Sequence, residues 1–147
     1  MGHEAAAVTK AWGDVLAADA TLAGVVSTKI FAGTAPDDAV APYVVGRQKL
    51  PGSDEYAFGG TLVYTEPLVD LGIVVPDDEH STAAQVGSSR IFALINPLND
   101  YQVTDATGAA WKVTFIREGG AWIRPEIDKG KKFFWVGHTF RVYVCAA

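Results

Sequence analysis

Twelve residues near the end of the chain read FFWVGHTFRVYV (133–144). Val136, Phe140, Val142 and Val144 recur there at even spacing, with His138 among them. Side chains that alternate with period two share one face of a β-strand, whereas a helix would scatter them around its circumference. Residues 61–75 form the longest strand-like run and put Val69, Leu71, Ile73 and Val75 on one face. Pro67 inside that run cannot donate to a ladder, which predicts an edge position or a bulge. Two long strands with one apolar face each require a sheet and a layer to cover it.

The cover is predicted to be helical. Residues 4–18 place Ala5, Val8, Trp12, Val15 and Leu16 on one helical face. Asp19 suits the cap of a second short helix, ATLAGVV, which Gly24 is expected to end. A third helix opens at Ser81 and runs to about Ile95, where Asn96-Pro97 stops it. Ala84, Gly87, Ile91, Leu94 and Ile95 share its apolar face. Asp77, Asp78 and Glu79 precede it at the positive end of the helix dipole, where each acid gains about 0.3–1 kcal/mol. Shorter strands are predicted at Lys29–Phe31, Tyr43–Gln48, Tyr101–Thr104 and 111–115, with TDATGAA (104–110) as a hairpin turn. The segments PGSDEYAFGG (51–60) and EGGAWIRPEIDKGKK (118–132) read as long loops from their Gly, Pro and charged residues. The expectation is one α+β domain over residues 1–147, a mainly antiparallel or mixed sheet with helices packed on one face.

At 147 residues, 49% hydrophobic and 20% charged, such a domain can bury a core without metals or disulfides. No apolar run approaches the roughly 18 residues of a membrane span, and the N-terminus has no basic start followed by an apolar stretch. Cys145 is the only cysteine, which excludes an intramolecular disulfide and a cysteine zinc site; it reads as an ordinary strand residue. The net charge is −5, and the 12 basic residues are scattered. The one dense group, Lys129, Lys131 and Lys132, sits beside Glu126 and Asp128, so sequence-specific nucleic-acid binding is not expected.

Candidates for catalysis are sparse. His3, His80 and His138 have no ligand spacing, and DDEH (77–80) lacks the second histidine of a zinc site and the turn glycine of a calcium loop. No nucleophile elbow, phosphate loop or dinucleotide fingerprint occurs. Asp37 and Asp38 are adjacent, so in extended chain their carboxylates point apart and read as the solvated tip of a connection between strands. No catalytic residue, metal or cofactor is therefore assigned. A competing reading is a small ligand-binding protein or enzyme that uses His138 with Asp70 in a pocket. Aromatic and basic residues on the two predicted loops and flanking the second point instead to a protein interface: Tyr56, Phe58, Arg117, Trp122, Arg124, Lys131 and Phe133.

One stretch carries a family pattern. VLAADATLAGVVSTKIFAGTAPDDAVAPYVV (15–45) places Asp19 and Leu22 after a helix, then Ile30-Phe31, a loop with Pro36, and Pro42-Tyr43-Val44-Val45. In this order it resembles the tail-completion or tail-terminator neck proteins of long-tailed bacteriophages. The match continues loosely through the helix at 81–95 and the strand HTFRVYV, while the long 118–132 segment departs from it. The resemblance implies a virion structural protein, assembled in the host bacterial cytoplasm as a ring, commonly hexameric. It implies as partners other copies of the chain, a tail tube protein and a head connector or stopper protein. DNA would pass through the ring without sequence-specific binding, with Asp37 and Asp38 as candidate channel-facing acids.

Overall fold

The computed structural model describes residues 2–56, 62–76, 78–128 and 130–147, with side chains described for 5–48, 67–76, 78–127 and 130–147. Two helices open it, α1 (Gly2–Ala17) and α2 (Ala20–Val26). Strands β1 (Ile30–Ala32), β2 (Tyr43–Tyr56) and β3 (Leu62–Pro76) follow, then α3 (Thr82–Ile95). Strands β4 (Tyr101–Thr104), β5 (Ala110–Arg117), β6 (Trp122–Asp128) and β7 (Lys131–Ala146) complete the chain. The caps act as the sequence predicts: Asp19 accepts from the Leu22 amide at 2.9 Å and Ser81 from the Ala84 amide at 3.2 Å. Gly24 does not end α2, which runs on to Val26 and stops at Ser27 with φ of 58°.

The seven strands form one mixed sheet in the order β1-β2-β3-β7-β5-β4, with β6 also paired to β7. Only β1 and β2 are parallel; the other described pairs are antiparallel. The three helices cover one face of a curled sheet, as the α+β expectation has it. α1 touches both end strands, β1 and β4, so the sheet wraps around it. Ala7, Val8, Ala11, Trp12 and Leu16 of α1 pack into a core with Leu71, Ile73, Phe115, Phe140 and Val142. Each fully buried large side chain there contributes about 1.5–3 kcal/mol.

Both segments read as loops are shorter than expected. β2 continues through Pro51 and Gly52 to Tyr56, because a bulge opposite Pro67 absorbs the residues that cannot pair. β3 lies between β2 and β7, so Pro67 marks a bulge and not an edge. Within 118–132, residues 122–128 form β6. The Glu118 amide donates to the Thr139 carbonyl at 2.8 Å, so β5 and β6 are one interrupted hairpin arm that returns as β7.

At one level five strands lie side by side, with Ile30, Val44, Ile73, Val136 and Ile123 in register across β1, β2, β3, β7 and β6. Four of the five are in the helix-covered core or packed against it; Ile123 is 46% exposed.

Candidate functional site

The face of the sheet turned away from the helices carries a side-chain cluster that no helix covers. Its residues alternate with the core: Arg47 on β2, Asp70 on β3, Trp122, Arg124 and Glu126 on β6, and Trp135 and Thr139 on β7. Register places Asp70 opposite Thr139, and Trp122 opposite Gly137.

Asp70 is buried at 4% exposure although it is a carboxylate. Arg124 Nη1 donates to its Oδ2 at 2.7 Å, and Thr139 Oγ1 donates to its Oδ1. Thr139 in turn accepts from Trp122 Nε1 at 2.9 Å. A buried charge needs this kind of pairing, since an unpaired carboxylate in the interior costs several kcal/mol. The Arg124 guanidinium also lies 3.9 Å from the Trp122 ring centroid and 5.3 Å from that of Trp135. From the other side Arg47 stands 5.0 Å over Trp135, donates Nε to the Gly33 carbonyl at 2.7 Å, and lies 3.9 Å from Glu126. The two indoles meet edge to face, 4.7 Å apart.

Two facing glycines make room for these rings. A Cβ on Gly72 would lie 2.7 Å from Trp135 Nε1, and one on Gly137 would lie 2.0 Å from the Leu71 carbonyl oxygen. Gly72 and Gly137 pair across β3 and β7, so the sheet is bare where Trp135 lies on it.

Asp37 and Asp38 fall on the exposed connection between β1 and β2. Those strands are parallel neighbours, so the connection must cross the sheet, and it does so over the open face with Ala35 against Val45, Val74 and Trp135. Asp37 lines a cleft of about 220 Å³ with Tyr43, Arg47, Glu126, Phe133 and Trp135. Lys131 and Phe133 lie at the β6–β7 hairpin beside Ala39, Val40 and Pro76. Of the predicted interface residues, Trp122, Arg124 and Phe133 come together on this face. Arg117 does not: it stands over Phe92 of α3 at 5.1 Å, on the helix side. Phe58 and the Tyr56 side chain lie outside the described residues.

The His138–Asp70 pair does not form a pocket. His138 is opposite Leu71 and Asp70 opposite Thr139, so the two side chains project from opposite faces of the sheet. His138 is buried under α3, its ring 5.0 Å from that of Phe92. Burial pushes its pKa down, the Ser88 backbone opposes this, and nearby Arg117 adds to it. Among the described residues no three His, Cys, Asp or Glu side chains gather as a metal site.

The open-face cluster can do little bond chemistry. Both Asp70 oxygens are taken, and the cluster includes neither an imidazole nor a thiol. Its accessible members, the half-buried Trp122 and Arg124 and the exposed Arg47, are of the types protein contacts use, and the buried Trp135 holds them in place. The sequence did not single out Arg47, Glu126 and Thr139 as members. The available signal was the period-two pattern Trp122, Arg124, Glu126 against Ile123, Pro125, Ile127, which Pro125 and the flanking glycines obscured.

No protein-family profile and no curated protein matches the chain. Solved structures do match. A chain from the virion of a native gene transfer agent particle aligns with a TM-score of 0.59 and 19% identity, over 95% of this chain and 97% of its own. A second solved structure aligns with a TM-score of 0.57 and 14% identity, over 97% and 94%. At these identities the shared property is the fold, nearly end to end.

Proposed function

We propose that this chain is a structural subunit of a phage-like particle, a ring-forming tail-terminator or tail-completion protein at the head–tail junction. The observation that carries the reading is the fold likeness to a chain of a virion particle over 95% of the sequence. The pattern at 15–45 points the same way. The opposed placement of His138 and Asp70 removes the main support for an enzymatic alternative.

In this reading the ring, a hexamer, contacts a tail tube protein on one side and a head connector or stopper protein on the other. The open-face cluster of Trp122, Arg124 and Phe133, with Lys131 at the hairpin, contributes to those contacts. Asp37 and Asp38 face the channel, where negative charge lets DNA pass without adhering. Size measurement of the purified protein, alone and with tail tube protein, tests this together with imaging of particles that carry a labelled subunit. A ring located at the neck is the expected result. A chain that stays monomeric and engages neither tube nor connector protein overturns the reading; monomer in isolation does not, because the tail can serve as template.

A further inference from the structure

The level at which Ile30, Val44, Ile73, Val136 and Ile123 align ends in two edges, β1 and β6. Among the described residues neither edge strand has a second strand partner. The two edges are unlike and complementary. Beside β1 lies a groove of about 400 Å³ between it, α1 and α2, lined mostly by apolar groups including Trp12, Ala17, Ala23, Ile30 and Ala32. β6 instead offers protruding side chains: Ile123 is 46% exposed and Ile127 78% exposed. Register with Val136 and Lys132 puts both isoleucines on the helix side of the sheet, the side on which the groove opens.

We propose that these edges join copies of the chain head to tail, β6 of one adding to β1 of the next with Ile123 and Ile127 in its groove. This rests on the ring reading above and names the surface that builds the ring. Strand direction favours it. β1 runs parallel to β2, and β3, β7 and β6 alternate after that, so β6 meets a neighbouring β1 antiparallel. Spacing favours it too. Ile123 and Ile127 are four residues apart, as are Thr28, in the turn before β1, and Ala32 at the end of β1; laying β6 antiparallel along the three residues of β1 sets Ile123 by Ala32 and carries Ile127 toward Thr28. Because the edges differ, the contact is heterologous, and it closes into a ring when the rotation per copy allows.

Two experiments on the full chain decide it, each with and without tail tube protein. In a Cys145→Ser background, Ala32→Cys with Ile123→Cys should oxidise to a covalent ladder, while each single cysteine stops at a dimer. Ile127→Asp, at an exposed position, should leave the circular dichroism unchanged and lower the oligomer fraction by about tenfold or more. A wild-type ring that Ile127→Asp leaves intact, with no ladder from the paired cysteines, overturns this interface and spares the ring reading. Absence of any wild-type oligomer under both conditions overturns both.

Discussion

Arg124 donates to the buried carboxyl of Asp70 while its guanidinium stacks on the indole of Trp122. Replacing Arg124 by alanine removes that partner and leaves Thr139 as the remaining donor to a buried carboxylate. The expected cost is about 2 kcal/mol, below the usual cost of breaking a fully buried pair because the Arg124 side chain is a third exposed. Urea unfolding of Arg124→Ala beside Asp70→Asn checks it, and the amide, still able to accept from Thr139, should lose less. His138 gives a separate prediction. Its folded pKa is depressed by burial, so its contribution to stability is complete above the unfolded value of about 6.5 and falls as pH drops through that value. His138→Phe should flatten the fall in stability that begins below about pH 6.5. Asp105 acts in a different window, since Thr107 and Trp111 hold its carboxyl well below the usual range. Its share persists until the pH falls below about 4. Unfolding midpoints across pH for wild type and His138→Phe separate the two. Neither residue's setting was legible from composition: His138 reads as lying among apolar neighbours, but which carboxylate shares its face depends on pairing between distant strands.

Among elements, the β3–β7 pair depends on the bare patch at Gly72 and Gly137. Gly137→Ala drives a Cβ into the Leu71 carbonyl, which belongs to the ladder and cannot swing aside like a side chain. A loss of about 1–3 kcal/mol is expected, with the environment of Trp135 altered. Denaturant titration followed by tryptophan fluorescence measures both, and an unchanged midpoint contradicts the close approach. The helices were largely readable in advance, because Asp19, Ser81 and Asn96-Pro97 are local signals acting within one turn. The Asp105–Ala109 hairpin turn was readable for the same reason. β6 was not, since Pro125 and the glycines at 119 and 120 are loop signals that pairing with β7 overrides. The outer half of β2 was missed similarly, its Pro51 and Gly52 being accommodated by a bulge that only the partner strand creates.

For the molecule as a whole, the order of the sheet ties its parts to one strand. β7 borders β3 on one side and β5 and β6 on the other. Before it is in place, the β1-β2-β3 group and the β4-β5 pair have no strand in common. During synthesis the earlier strands therefore emerge as two groups that no strand pairing joins, each with an unpaired edge, until residues 131–146 arrive. Folding then awaits contacts between residues far apart in sequence, which places its rate on the order of milliseconds to seconds. A fragment ending at residue 130 should lack cooperative unfolding, and adding the 131–147 peptide in trans should restore it. The same arrangement makes the interval between translation and closure the period when this chain is most prone to pair with the wrong neighbour, and a partner that holds the β3 edge in that interval would raise its yield.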